Sequence, residues 1–202
     1  MKTLLRIDTS TRGANSHSIG LADMIFNTLE SEHSRVLTRD LNRTNLPHIS
    51  QEFIEAMYTP KEERNDAMNA VLNLSDTLIG ELKSADTILL SVPMFNFGVP
   101  SRLKAYIDHI SRIGETFSMD ENGMNGLLKN KKLIVAAAYG AEFEQMRAMD
   151  FVEPYLKSLF GFLGIEDITY LAVEGTSMLG TEMLTQKKEE LIKNFHSINK
   201  LV

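Results

Sequence analysis

The sequence predicts a doubly wound α/β domain built on a five-stranded parallel sheet, and three observations predict it. Short β-branched or leucine-rich runs alternate with stretches of helical period from one end of the chain to the other. The runs at 87–92 and 132–138 are apolar at nearly successive positions, as in strands covered on both faces. The 202 residues hold no linker, low-complexity tract or repeat, so one domain over 1–202 with one substantial core is expected.

Residues 3–7 are the first strand candidate. Ile19, Leu21, Ala22, Ile25, Phe26 and Leu29 then share one helical face, with Ser18 as the expected N-cap. Residues 35–40 read as a shorter second strand, and 51–57 as a short helix after the irregular Asn45-Leu46-Pro47. Pro60 is expected to open a long helix with the stripe Met68, Val71, Leu72, Ser75, Leu78, Ile79 and Leu82. Glu62 and Glu63 would face its positive end. The third strand, 87–92, precedes a helix carrying Leu103, Tyr106, Ile107, Ile110 and Ile113, and Asp120-Glu121-Asn122-Gly123 signals a small hairpin within 117–126. The fourth strand is 132–138, followed by a loop over 139–149. A helix over 150–163 takes Pro154 in its first turn, 165–173 holds a fifth strand, and Leu184, Leu191, Ile192, Phe195 and Ile198 mark a closing amphipathic helix. Right-handed crossovers would cover both faces of the sheet. In the order 2-1-3-4-5, the loops after strands one, three and four converge at the carboxyl edge, where a mononucleotide can lie.

Composition removes several function classes. With no cysteine there is no thiol catalysis, disulfide or zinc-thiolate site, and redox work requires a cofactor. A net charge of -6 and no clustered basic stripe argue against nucleic acid. No apolar run approaches the roughly 20 residues of a membrane span, and Arg6 interrupts the short apolar start, so a cytoplasmic chain without membrane contact is expected. The five histidines are scattered and predict no metal. Asp108-His109 lies near serines without a Gly-x-Ser-x-Gly elbow, and His109 reads as a surface residue. Asp8 ends the first strand as a phospho-acceptor would, yet Ser91-Val92-Pro93 supplies no acidic companion.

Two loops carry the chemistry. The stretch from Asp8 to Ser18 is rich in hydroxyls and runs into a helix amino terminus, where Ser10, Ser16, His17 and Ser18 could cradle an anion and Arg12 could add charge. The same residues also suit a capped turn. Pro93-Met94-Phe95-Asn96-Phe97-Gly98-Val99-Pro100 follows the third strand and offers aromatic rings, a thioether, an amide and approachable backbone, a set suited to a flat heteroaromatic ring. Neither Gly-x-Gly-x-x-Gly nor Gly-x-x-x-x-Gly-Lys-Ser/Thr is present. One phosphate and one aromatic-lined pocket is what FMN requires.

Ser10, Ser16-His17-Ser18, Pro93 to Phe97, Glu121-Asn122-Gly123 ahead of Lys131-Lys132, Leu74-Ser75-Asp76, Pro154-Tyr155-Leu156 and 161–165 resemble the FMN-dependent NADH-azoreductases, also credited with quinone reduction. The resemblance covers essentially the whole chain in order. It implies a flavodoxin-like fold, with Ser10 and Ser16, His17 and Ser18 as the FMN phosphate cradle and Met94, Phe95, Asn96 and Phe97 along the isoalloxazine. Ala138-Tyr139-Gly140-Ala141 stands where some relatives carry Ser-Arg-Gly-Gly, so Gly140 is retained and Tyr139 departs. Their backbone is expected to stabilise charge on the flavin pyrimidine. Phe117 and Phe162 are expected to wall the substrate pocket, with core packing as their competing role. The implied activity is ping-pong hydride transfer from NADH through FMN to quinones or aromatic azo compounds, with no catalytic acid-base residue, in a homodimer with shared active sites. The alternative is a flavodoxin-like FMN electron carrier without direct NADH oxidation.

Overall fold

A computed structural model describes residues 2–121, 123–144 and 146–199, with the backbone alone for 198 and 199. Five strands, β1 (Thr3–Asp8), β2 (Arg35–Asp40), β3 (Thr87–Pro93), β6 (Lys132–Ala138) and β7 (Asp167–Val173), form one parallel sheet in the order β2-β1-β3-β6-β7. This is the predicted order. A separate hairpin pairs β4 (Phe117–Asp120) with β5 (Gly123–Gly126), as the turn signal required; Asn122 lies outside the described residues.

Alternation along the strands divides the core in two. Leu5, Ile7, Ile88, Leu90, Val92, Leu133, Val135 and Ala137 point to one face, where α3 (Asp66–Ser84), α4 (Ser101–Ile110) and α5 (Glu153–Phe162) cover them. Leu4, Leu89, Ile134, Ala136, Ala138, Leu171 and Val173 point to the other, under α1 (His17–Leu29) and α6 (Thr181–Asn199). Side-chain period two makes the division unavoidable once β1, β3 and β6 are buried on both faces. A smaller cluster of Phe53, Ala56 and Leu72 seats α2 (Gln51–Tyr58) on α3. The predicted closing face holds at Leu184, Leu191, Ile192 and Phe195, while the Ile198 side chain lies outside the described residues.

Several expectations are corrected. Pro60 does not open α3: a short turn at Lys61–Glu63 intervenes, Arg64 is extended, and Asn65 caps the helix by accepting the Met68 N–H at 2.9 Å. Asp66 therefore occupies the first turn in place of Glu62 and Glu63, and Val71 faces solvent. The fifth strand begins at Asp167, because Gly164 adopts φ +106 and delays it. His109 is buried, its Nε2 donating to Pro47 O at 2.9 Å while its ring meets Phe53 edge-on. The aliphatic side of α4 packs into its own core through Leu103, Tyr106, Ile107 and Ile110.

Candidate functional site

Three loops meet at the carboxyl edge of β1, β3 and β6, and hydrogen bonds lace them together. Thr9 Oγ1 donates to Ser91 O at 2.7 Å, Met94 N–H to Ala138 O at 2.9 Å, and Phe151 N–H to Phe97 O at 3.1 Å. Asp8 is committed elsewhere, accepting from Ser91 Oγ at 2.8 Å and pairing with Arg6 at 2.9 Å.

In the first loop a short turn at Gly13–Asn15 delivers Ser16 to the start of α1. Ser16, rather than Ser18, is the N-cap: its Oγ accepts the Ile19 N–H at 3.3 Å and lies 3.0 Å from Ser18 Oγ. Ser18 is the second helical residue and fully buried. Ser10 is buried too, with its Oγ accepting the Arg12 N–H at 3.3 Å. Asn42, in the turn after β2, donates to Ser10 O at 2.6 Å and braces the loop; no sequence pattern marked it. The first N–H groups of α1, on His17 and Ser18, have no acceptor within the helix.

Beside this terminus opens a cavity of about 580 Å³ lined by Arg12, Ser16, His17, Gly20 and Lys188 among others. Burial, reinforced by the Lys188 and Arg12 charges, holds the His17 pKa below its ordinary value. Burial also lowers Lys188, with the field of Asp23 opposing. Lys188 belongs to α6, and its place at this wall follows from tertiary packing alone.

The second loop is a strained turn. Phe95 and Gly98 exchange both N–H···O bonds at 3.0 Å around Asn96 and Phe97, whose φ angles are +50 and +66. Two successive left-handed residues make a turn of the primed hairpin type. Asparagine tolerates that region, whereas an aromatic residue there costs about 1–2 kcal/mol. Phe95 and Phe97 are each 41% exposed, so the strain is set against no full burial of either ring. Met94 is half-buried.

The third loop corrects the expectation for Tyr139. Its backbone N–H donates to Val173 O at 2.9 Å, and its side chain is fully buried, so it offers the carboxyl edge neither donor nor ring. Tyr139 OH donates to Asp150 Oδ2 at 2.9 Å, and Tyr170 OH, at 2.6 Å, must then donate to Tyr139. Asp150 Oδ1 accepts the Val152 and Glu153 N–H groups at the start of α5, at 2.9 and 3.2 Å. Burial above all, with the Tyr170 and Asp150 contacts, raises the Tyr139 pKa. Gly140 keeps its N–H without a hydrogen bond among the described residues, and a Cβ there would come within 3.0 Å of Ser177 Oγ.

A family model described as a flavodoxin-like fold matches residues 1–197. An FMN-dependent NADH:quinone oxidoreductase of Hydrogenovibrio crunogenus is 48% identical over 191 residues, covering 93% of this chain and 94% of the relative. The chain belongs to the FMN-dependent NADH:quinone oxidoreductase family. Another such oxidoreductase, from Hahella chejuensis, is 38% identical over 93% of this chain and 92% of its own. The crystal structure of an FMN-dependent NADH-azoreductase from Bacillus anthracis str. Ames Ancestor, in complex with FMN, superimposes with a TM-score of 0.85 at 25% identity. It covers 98% of this chain and 99% of that one.

Within this member of the oxidoreductase family, Phe117 and Phe162 do come together, their ring centroids 4.8 Å apart. They do so towards the amino edge of the sheet. Phe117 follows α4 and Phe162 ends α5, and each ten-residue helix returns about 15 Å from the carboxyl edge to the amino edge. Leu128 N–H donates to Leu163 O at 2.9 Å, and Gly126 lies backbone to backbone against Gly164, fixing the hairpin beside the start of β7. The two rings expected at the pocket wall therefore follow helices that run away from the carboxyl edge. Among the described residues no group of three or more His, Asp or Glu gathers in metal-binding geometry, and no helix is long and apolar enough to cross a membrane.

Proposed function

We propose that the chain is an FMN-dependent NADH:quinone oxidoreductase that also reduces aromatic azo compounds to amines, a single domain over 1–202 that works in the cytoplasm as a homodimer. One observation carries the reading: a hydroxyl-capped helix terminus and a strained aromatic turn meet at the switch point of the sheet, one suited to a phosphate and the other to a flat ring. The names of the relatives agree with it.

The residues present fit FMN. Ser10 and Ser16 would hold the phosphate through their hydroxyls, and His17 and Ser18 through the first amides of α1, beside a cavity that Arg12 and Lys188 make positive. Met94, Phe95, Asn96 and Phe97 would face the flavin ring, and their primed turn sets that surface before any ligand arrives. Gly140, rather than Tyr139, supplies the main-chain donor for negative charge on the ring. Bound FMN supplies the hydride chemistry between NADH and the acceptor, so the protein's work is stacking, aiming and excluding water. No acid-base side chain is assigned.

The homodimer gives Phe117 and Phe162 their role. Too far to wall the pocket of their own chain, the paired rings serve the pocket of a second copy, where a flat quinone or azo compound lies between them and the flavin. The exposed Phe95, Phe97 and Phe151, and an apolar groove of about 530 Å³ along Val99, Phe151, Pro154 and Tyr155, support an apolar partner at that edge. Mixing subunits inactivated separately in the FMN cradle and in the Phe117–Phe162 pair restores activity if sites are shared; loss strictly in proportion counts against it. For the reaction itself, purified protein is expected to be yellow, to bleach on adding NADH and to regain colour with menadione or methyl red. A preparation that binds FMN but is not bleached by NADH would be an electron carrier.

A further inference from the structure

The cavity beside α1 contains a charge arrangement that the hydroxyl cradle does not explain. Arg12, His17 and Lys188 converge on its walls in a chain whose net charge is -6. Neither the Arg12 guanidinium nor the Lys188 ammonium has an ion-pair partner among the described residues, and Asp23, whose field reaches Lys188, is already held by Arg6 at 2.7 Å. Lys188 reaches this place from α6 because α1 carries glycine at position 20: a Cβ there would come within 3.2 Å of the ammonium. Glycine inside a helix costs about 1 kcal/mol relative to alanine, so its presence opposite Lys188 is consistent with keeping room for that group. Like charges gathered in a partly desolvated cavity repel one another unless an anion joins them.

We propose that Lys188, with Arg12, neutralises the phosphomonoester of the flavin, His17 adding only a neutral N–H at the cavity wall, and makes this chain select FMN over unphosphorylated riboflavin. The proposal rests on the FMN reading above and adds to it a recognition residue from the last helix. The cradle hydroxyls and α1 amides set the position of the phosphate. The cations at its flank supply the charge that distinguishes a dianion from an alcohol, since a hydrogen bond to an ionised group is worth about twice a neutral one.

Flavin fluorescence quenching on the full-length chain stripped of flavin tests this, with FMN and riboflavin titrated in parallel against wild type, Lys188→Gln, Lys188→Arg and Lys193→Gln. Lys193 is exposed on the same helix, so its variant matches the change in net charge. Lys188→Gln is expected to weaken FMN binding about tenfold, the loss of one charge-assisted contact, and to leave riboflavin binding within about twofold. Lys188→Arg should recover most of the FMN affinity, Lys193→Gln should lie within about twofold of wild type, and added salt should narrow the gap between wild type and Lys188→Gln. Inorganic phosphate at constant ionic strength should compete with FMN in wild type and less in Lys188→Gln. Unchanged FMN-to-riboflavin selectivity in Lys188→Gln, with wild type binding FMN, overturns the role of Lys188 and leaves the flavin reading standing. Wild type that binds no FMN overturns both. Phosphate that binds through Lys188 without competing with FMN makes the cavity a separate anion site and overturns its assignment to the cofactor.

Discussion

The two ends of the candidate pocket are made by different means. At the phosphate end, side chains do the work: Ser16 caps α1, Ser18 touches Ser16, and Ser10 is gripped between Arg12 and Asn42. At the ring end, backbone shape and a buried network do it: two left-handed residues at 96 and 97, and Asp150 binding Tyr139 to the start of α5. The first kind of end tolerates loss of one group because its neighbours remain. The second depends on a few residues that hold whole loops, so its mutants should fail in stability as well as in binding.

The sharpest way to break that contrast is Asp150→Ala. It removes acceptors for Val152 N–H, Glu153 N–H and Tyr139 OH at once, and should cost about 3 kcal/mol, a fall in Tm of roughly 6–12 °C by thermal denaturation. A loss under about 1 kcal/mol would show that the ring end is not held as described. The same network predicts an alkaline limit. Burial foremost raises the pKa values of Tyr139 and Tyr170 in the folded chain, so above about pH 10 the unfolded chain releases phenolic protons that the folded one retains. Stability is therefore complete below that pH and falls as pH rises; urea midpoints from pH 8 to 11 should show it, with a shallower fall in Tyr139→Phe/Tyr170→Phe.

At the phosphate end, Ser16→Ala should cost about 1 kcal/mol through the lost cap, and also weaken FMN binding, read by denaturant unfolding and fluorescence titration. Smallest in stability, and opposite in sign, is Phe97→Gly. Relief of the left-handed strain should raise stability by up to about 1 kcal/mol, while loss of the ring lowers quinone turnover about two- to tenfold. A variant both less stable and fully active would contradict the assignment of strain to function at this turn.

The same contrast explains how much could be read from the sequence. The strands, the hairpin and the hydroxyl loop were legible because period, turn chemistry and side-chain type encode them locally, whereas the strand order, though it matches, is a long-range property that no local signal encodes. The sequence also placed Phe95-Asn96-Phe97 in a loop, but their left-handed backbone is imposed by the reciprocal Phe95–Gly98 bonds and has no compositional sign. The backbone donor expected of Tyr139 is taken by Val173 O, a pairing across the sheet that the residue types around 139 do not mark. Ser18 yielded the cap to Ser16 by two residues, within the uncertainty of any helix boundary read from period alone. Asn42 and Lys188 left no trace, since each acts on residues distant in the chain. That Phe117 and Phe162 pack against each other was not marked either, as spacing says nothing about which rim of the sheet a helix end reaches.

The close contact of Gly126 with Gly164 ties that last point to assembly. With no side chain between the two backbones, the hairpin cannot slide along α5 without a collision, so Phe117 and Phe162 travel as one rigid tool. Any molecule that receives one ring is handed the other at a set spacing, and that spacing is gauged by two glycines that present no side chain of their own.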